Sequence, residues 1–434
     1  RGLGDVYKRQ ICIRLSNANR IQTINPEIMN KTTRLLGSLL IITIATSCGT
    51  GDKNQSAQTD DPLANSPIVG QYVQAGTDNV MSCDQKLLAD TVRIPLSFFT
   101  EKLEIVKLDS RDEALVGQTG VTISDNYILV HGRQPNPFKL FDRKGNFLTN
   151  IGAIGQGPGE YQMVYDAKLD EANNRIYILP WNASQLLVYD LQGNVLDPIP
   201  LCLRCPKAKF NVDLTGGKVS IVLLPFKGSA AVAWTQDLKG NRLGYMEPGH
   251  LEAPQDFSNE VISGFNIPGT FDVNILCIMP TRVDSLYRYD GDNSRLIPTF
   301  TLNFANTDKI PWHGYGEWPH HFIGDFSEPP VEVAPGSWTN GKTFHYIVDK
   351  KTGKGSFFKL YNDYFGNLEI DYPSYAFSNG YYIRNIEPGN LMTDIENALK
   401  NKDITSEMRK KLTDLQNTIE DNDNNYVMIA KLKK

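Results

Sequence analysis

From Thr91 onward, short runs of alternating apolar and polar residues are separated by Gly, Asn and Asp: TVRIPL, LEIVKL, FKLFD, NRIYILPW, QLLVYD, GKVSIVLLPF and SLYRYD. A period of two, rich in β-branched and aromatic residues, predicts strands. The runs repeat around a set of aspartates. Asp142 (FDRKG), Asp190 (YDLQG), Asp237 (QDLKG), Asp290 (YDGDN) and Asp349 (VDKKTG) follow one another at 48, 47, 53 and 59 residues. In most, an apolar or aromatic residue precedes the Asp, and Gly or Asn follows where the chain must reverse with positive φ. A carboxylate there can accept backbone N–H bonds from its own turn, so each aspartate is expected to be structural. A repeat near fifty residues with about four strands per unit and no helix between units predicts a β-propeller. Five anchored units are visible. A sixth can be assembled from SYAFSNGYYIRNI and NYVMIAKLKK, with VRIPL or LEIVKL joining from the N-terminal side. Closure by strands from both ends removes open sheet edges. The expectation is an all-β, six-bladed β-propeller over residues 68–434, with seven blades as the competing count.

One region departs from period two. Leu391, Ile395 and Leu399, then Ile404, Met408 and Leu412, recur every four residues, followed by Leu415 and Ile419. This is a helical stripe. Two short helices are expected as an insertion in the last blade over about 390–420, packed on the propeller, the second capped by Asp403 or Thr405.

The first 67 residues are of another kind. RGLGDVYKRQ resembles a translated sequencing adapter, and residues 1–28 are expected to be a non-native extension ahead of Met29. Basic Lys31 and Arg34, an apolar run from Leu35 to Ala45, and small residues up to Ser47 then predict a signal peptide over residues 29–47. The run falls short of the roughly 20 apolar residues that span a bilayer. Cys48 after that small triplet is a lipidation candidate, and residues 48–67, polar and aperiodic, suit a flexible tether. The expected site is the outer membrane, held through lipid on Cys48 and facing the periplasm or the surface. Seven of the 44 Lys/Arg and two of the 49 Asp/Glu lie in residues 1–47, so the remainder carries a net charge of −10. Without a basic stripe, nucleic acid is not an expected partner.

After the FDxxG hairpin comes Ile151-Gly152-x-x-Gly155-Gln156-Gly157-Pro158-Gly159-Glu160-Tyr161. This run resembles the six-bladed β-propeller lipoproteins of gut-type Gram-negative anaerobes, within the wider NHL/TolB-like group. The lipidation signal, the helical insertion and the NYVMIAKLKK ending fit the same resemblance, which implies the fold and carries no catalytic residues. The glycines do not form a dinucleotide fingerprint: the spacing differs, no helix opens after them, and Pro158 lacks an N–H for phosphate. A tight inter-blade loop near the axis is expected, with Glu160 and Tyr161 aimed at the channel.

The richest candidate for binding is the stretch from Lys309 to Trp338, with three of the five tryptophans and three of the six histidines. Its Pro and Gly content predicts a long loop. Trp312, Tyr315, Trp318 and Phe322 are candidates for a stacking platform, and His313 and His320 for polar contacts. His313, His320 and His321 with Glu317 or Asp325 are a weaker metal set that matches no known spacing. Arg133 and Arg384 are candidate anion contacts in the channel. Cys202 and Cys205 could form a local disulfide in a loop after the second unit; no second CxxC completes a zinc site. No motif requires a metal or a cofactor. The expected function is a binding or scaffolding propeller for a glycan, peptide or partner protein. The alternative is a propeller hydrolase or lyase with a metal at the channel mouth, recognisable by at least three acidic or His side chains converging there.

Overall fold

The computed structural model describes residues 61–434, apart from 277–280, 309, 329–330, 335–336 and 340. Six antiparallel sheets follow one another as blades. Blade one holds Val121–Ile123, Tyr127–Val130, Phe138–Asp142 and Phe147–Ile151; blade two Val164–Asp170, Arg175–Pro180, Ala183–Tyr189 and Val195–Cys205. Blade three holds Ala208–Asp213, Lys218–Leu223, Ala233–Asp237 and Arg242–Met246; blade four Glu260–Ile262, Asp272–Leu276, Leu286–Asp290 and Arg295–Asn303. Blade five is built on Trp312–Glu317, His321–Ser327, Thr343–Asp349 and Gly355–Asn362, and blade six on Phe377–Ser378, Tyr381–Ile386, Tyr426–Leu432 and Thr100–Lys107. The first strands of blades one to four touch in sequence, the first strand of blade five touches the second strand of blade four, and the second strand of blade six touches the first of blade one, so the inner strands ring the axis.

Blade six is closed by both ends of the domain. Tyr426–Leu432 pairs antiparallel with Tyr381–Ile386 on one side and with Thr100–Lys107 on the other. The LEIVKL run therefore supplies the closing strand, while VRIPL lies in Thr91–Pro95 and adds in parallel to the outside of blade five. Blade four is also extended, by Asp78–Asp84 in parallel and then by Gly70–Ala75.

The apolar face of each strand is accounted for by its neighbours. Six apolar clusters lie one to each seam between consecutive blades. At the seam of blades one and two, for example, Leu129, Phe138, Leu140 and Ile151 meet Ile176, Ile178, Leu187 and Tyr189, all buried. Both faces of every sheet are thus covered, which is why the strands contain more apolar residues than a one-sided sheet would.

The repeated aspartates shape the turn from third to fourth strand. Asp142 Oδ1 accepts Lys144 N and Asn146 N at 2.9 Å, and Oδ2 accepts Asn146 Nδ2 at 2.8 Å. Asp190 with Asn194 and Asp237 with Asn241 repeat this arrangement. Asp290 does so with Asn293, and Asp349 with the amide and hydroxyl of Thr352. Gly145, Gly193 and Gly240 take the positive φ that these turns need. Blade six takes its fourth strand from elsewhere in the chain, so it has no such turn and no such aspartate.

Between the second and third strands of blade six the chain forms helices Pro388–Lys400 and Ser406–Gln416. Thr405 caps the second, its hydroxyl accepting Met408 N at 3.1 Å. Leu391, Ile395, Ala398 and Leu412 are buried in the cluster that joins blades five and six. Gly366 (φ +69°) lets the chain pass under the first helix; a Cβ there would lie 2.4 Å from that of Ala398.

Candidate functional site

The stretch from 309 to 338 is not a long loop. Trp312–Glu317 and His321–Ser327 are the paired first and second strands of blade five. Of its described Pro and Gly residues, Pro311 and Pro319 flank strands, and Gly314, Gly316 and Gly324 lie inside them. The expected aromatic platform is accordingly core: Tyr315 is 6% exposed and Trp318 1%. Trp318 packs edge-on against Phe99 and lies 4.4 Å from Phe377, ring centre to ring centre. Phe322 is buried too, Trp312 is half-buried, and His320 alone of the group is exposed.

The expected metal set does not converge either. His313 is buried with Nδ1 against the Pro311 carbonyl at 2.9 Å. His321 lies 3.8 Å from Asp349. Glu317 is held by Lys350 at 2.6 Å and by Arg288 Nη2 at 3.2 Å from both its oxygens. Among the described residues no group of three or more His, Cys, Asp or Glu side chains is arranged to hold a metal ion.

Four further expectations are corrected. Tyr161 does not reach the channel: it is buried at the seam of blades one and two, its hydroxyl donating to Ile151 O at 2.6 Å and accepting Phe138 N at 2.8 Å. Glu160 folds back on its own glycine loop, accepting Gly157 N at 2.8 Å. Arg133 lies exposed in the turn between the second and third strands of blade one, and Arg384 pairs with Asp394 of the first helix at 2.6 Å. Cys202 and Cys205 are not joined. They belong to the strand Val195–Cys205, not to a loop, and three residues of strand span about 10 Å on opposite faces, beyond disulfide reach. Cys48 lies outside the described residues.

The structure instead brings charge together at the axis. A cavity of about 260 Å³ is lined by Thr119–Thr122 and His131 of blade one, Asp166–Lys168 of blade two and Lys209 of blade three. Ser263 and Phe265 of blade four, Tyr375–Asn379 leading into blade six, and Ile383 and Asn385 within it complete the lining. Blade five contributes by omission: a Cβ on Gly314 would stand 3.2 Å from the Tyr375 hydroxyl. Lys209 Nζ lies 3.2 Å from Asp166 Oδ1, and Asp166 Oδ2 accepts Phe210 N at 3.4 Å. Lys168 Nζ sits 2.9 Å from the centre of the Phe265 ring, a cation–π contact. Burial lowers its pKa to about 8, with Asp166 opposing and Lys209 adding to the shift. His131 stacks on Phe138 and bonds through Nε2 to the Thr122 hydroxyl at 2.8 Å. Burial lowers its pKa to about 4, so it is neutral at pH 7.

Phe265 is positioned by force. It has φ +51°, a left-handed conformation that costs a bulky residue of order 1–3 kcal/mol. The buried Asp272 carboxylate holds it there, accepting Phe265 N at 2.7 Å, Gly264 N at 3.0 Å and the Ser263 hydroxyl at 3.3 Å. Burial raises the Asp272 pKa against the pull of these amides. Across the axis, Asn379 N donates to Gly264 O at 2.8 Å and Gly380 N to Asn266 Oδ1 at 3.2 Å, so blade six braces the same loop. The signal for this site in sequence was slight: Asp166 and Lys168 flank Ala167 as ordinary alternating positions.

Residues 79–431 match a family model described as a domain of unknown function, DUF4934. Comparison with curated proteins gives no match. Among solved structures, a protein described as exported, from Bacteroides fragilis NCTC 9343, is similar at 16% identity and TM-score 0.55, covering 81% of this chain and 99% of its own. A member of the DUF4221 family from Bacteroides vulgatus (12% identity, TM-score 0.38) covers 77% of this chain and 97% of its own. A protein of unknown function from Bacteroides thetaiotaomicron (11%, TM-score 0.35) covers 79% and 75%. At 16% identity the similarity to the B. fragilis protein speaks for the fold alone. The chain belongs to the DUF4934 family.

Proposed function

We propose that this chain is a non-enzymatic binding propeller of the cell envelope, taking a glycan or peptide group into the mouth of its axial channel. The observation that carries the reading is the axial cavity itself: five blades contribute to one polar, partly enclosed volume with two lysines in its wall. Concave sites with a few convergent polar groups are where small ligands bind. The lack of a gathered acidic or histidine set among the described residues favours binding over metal-dependent hydrolysis.

The description of the B. fragilis structure as exported is consistent with the signal peptide expected over residues 29–47. We place the protein in the outer membrane, anchored by lipid on Cys48, and within propellers nearest the NHL/TolB-like group. Metabolic labelling with palmitate, lost in Cys48→Ser, tests the anchor. Thermal melts of the protein with glycan fragments and short peptides test the channel, because a ligand raises the melting temperature according to RT ln(1 + [L]/Kd). Stabilisation should vanish in Ser378→Trp, which places a bulky ring in the cavity wall. Stabilisation that persists there, or that requires a divalent metal and is reversed by EDTA, would overturn the reading.

A further inference from the structure

We infer that the channel site selects a small organic carboxylate, which seats its charge on Lys168; this rests on the binding reading above. The other enclosed lysines provide an internal comparison. Lys207 donates to Phe257 O at 2.7 Å, Asn259 O at 2.8 Å and Glu260 Oε1 at 2.5 Å. Lys350 donates to Glu317 and to the carbonyls of Trp318 and Pro319, at 2.6, 2.7 and 3.2 Å. Lys139 reaches the Glu113 carbonyl and Asn150 Oδ1. Lys209 has Asp166. Lys168 differs: among the described residues no acceptor lies within hydrogen-bonding reach of its ammonium, which rests on a ring and faces the cavity.

An enclosed ammonium without acceptors is costly, and an anion that supplies them recovers that cost. The surroundings suit one. Asp166 is engaged by Lys209 and a backbone amide, and the Asp272 oxygens are directed at Gly264, Phe265 and Ser263. Neither carboxylate contacts Lys168 directly. The Phe265 ring, held in its unfavourable backbone conformation, fixes the ammonium from one side and leaves the cavity side for ligand. At about 260 Å³ the space falls below the roughly 300–1,000 Å³ of drug-sized sites. It suits one acidic sugar ring or one C-terminal residue of a peptide. Ser263, Ser378 and Asn379 in its wall offer neutral groups to the rest of such a ligand.

The test is calorimetric titration with D-glucuronate and N-acetyl-Ala-Ala, each beside its methyl ester, which keeps the shape and removes the charge. At least one acid should bind tenfold or more tightly than its ester, and which acid does so separates the sugar source from the peptide source. Lys168→Met should abolish the preference, and Lys168→Arg should retain it, showing that the loss is one of charge and not of folding. If acid and ester bind equally and Lys168→Met changes neither, while Ser378→Trp abolishes both, the carboxylate assignment falls and the channel site stands. If no probe binds, or Ser378→Trp leaves binding intact, both fall.

Discussion

The first strand of blade two and the first strand of blade five occupy equivalent places in the ring and do opposite things. Val164–Asp170 has an unremarkable composition, yet its Asp166 and Lys168 enter the axial cavity. Trp312–Glu317 and the Trp318 that follows look made for recognition, yet Tyr315, Glu317 and Trp318 are buried within the protein. Tyr315 joins the seam of blades four and five, and Trp318 that of five and six. The difference lies in which face of each strand carries bulk. In blade five the cavity side is reduced to glycine, making room for Tyr375, and the large rings fill space between sheets. In a propeller, aromatic density marks a wide seam, and an ordinary pair of charges at i and i+2 on a first strand marks the axis.

Perturbing each strand should break the comparison in a different measurement. Trp318→Ala should cost about 3–5 kcal/mol in urea unfolding followed by far-ultraviolet circular dichroism, as expected when a fully buried aromatic is lost, while folded protein keeps its carboxylate preference. Trp318→Phe should cost much less, because the indole N–H is buried without a hydrogen-bond partner. Next, Glu317→Gln should cost about 3 kcal/mol by the same assay, since it strips the negative partner from Lys350 and Arg288. Equal loss of ligand affinity in this variant would mean that blade five belongs to the site after all.

Asp142→Ala should cost about 1 kcal/mol at pH 7, the value of a turn hydrogen-bond set at the surface. Burial opposes ionisation of Asp142, but the bonds from Asn146 and Lys144 outweigh it and hold its pKa below the usual carboxylate range. The contribution is therefore complete above the unfolded pKa and fades as pH falls through the folded one. Wild type and variant should converge in urea midpoint near pH 2, and a gap that persists there would refute the role. Lys168→Met should leave stability at pH 7 within about 1 kcal/mol, because no hydrogen bond is lost.

The mildest effect is on binding. Carboxylate affinity should fall as pH rises from 7 to 9.5, as Lys168 loses its proton near 8. Asp166 on its own strand, Lys209 from blade three, Asp272 from blade four and His131 from blade one face it, and the histidine is already neutral over that range. Lys168→Arg should remove the pH dependence.

The architecture was legible in sequence because its signals are local. A DxxGN turn needs only five consecutive residues to be recognised, and its spacing gave the blades; the Leu391/Ile395 stripe gave the helices in the same way. The missing sixth aspartate was legible for the same reason, since a blade closed by a distant strand has no turn to shape. The cavity was not, because its wall comes from five blades and no segment contributes more than a few residues. Arginines in or just beyond strand runs were plausible anion contacts, but Arg384 is claimed by Asp394 on the inserted helix, a contact that only the folded chain creates. The cysteine pair failed on a point of geometry, because CxxC spacing suits a loop or helix and here it is in a strand.

The manner of ring closure also sets the order of events during biogenesis. The strand Tyr426–Leu432 must slot between two partners, one of which, Thr100–Lys107, lies about 320 residues earlier in the chain. Until that strand arrives, whatever blades have formed make an arc with an unpaired edge at each end. Such edges recruit other chains, so the nascent ring needs shielding until Tyr426–Leu432 has been made. Loss of only the final strand would leave it permanently in that open state. The domain therefore folds to completion only once the strand Tyr426–Leu432 is free to move, as a clasp fastened after the band has been wrapped.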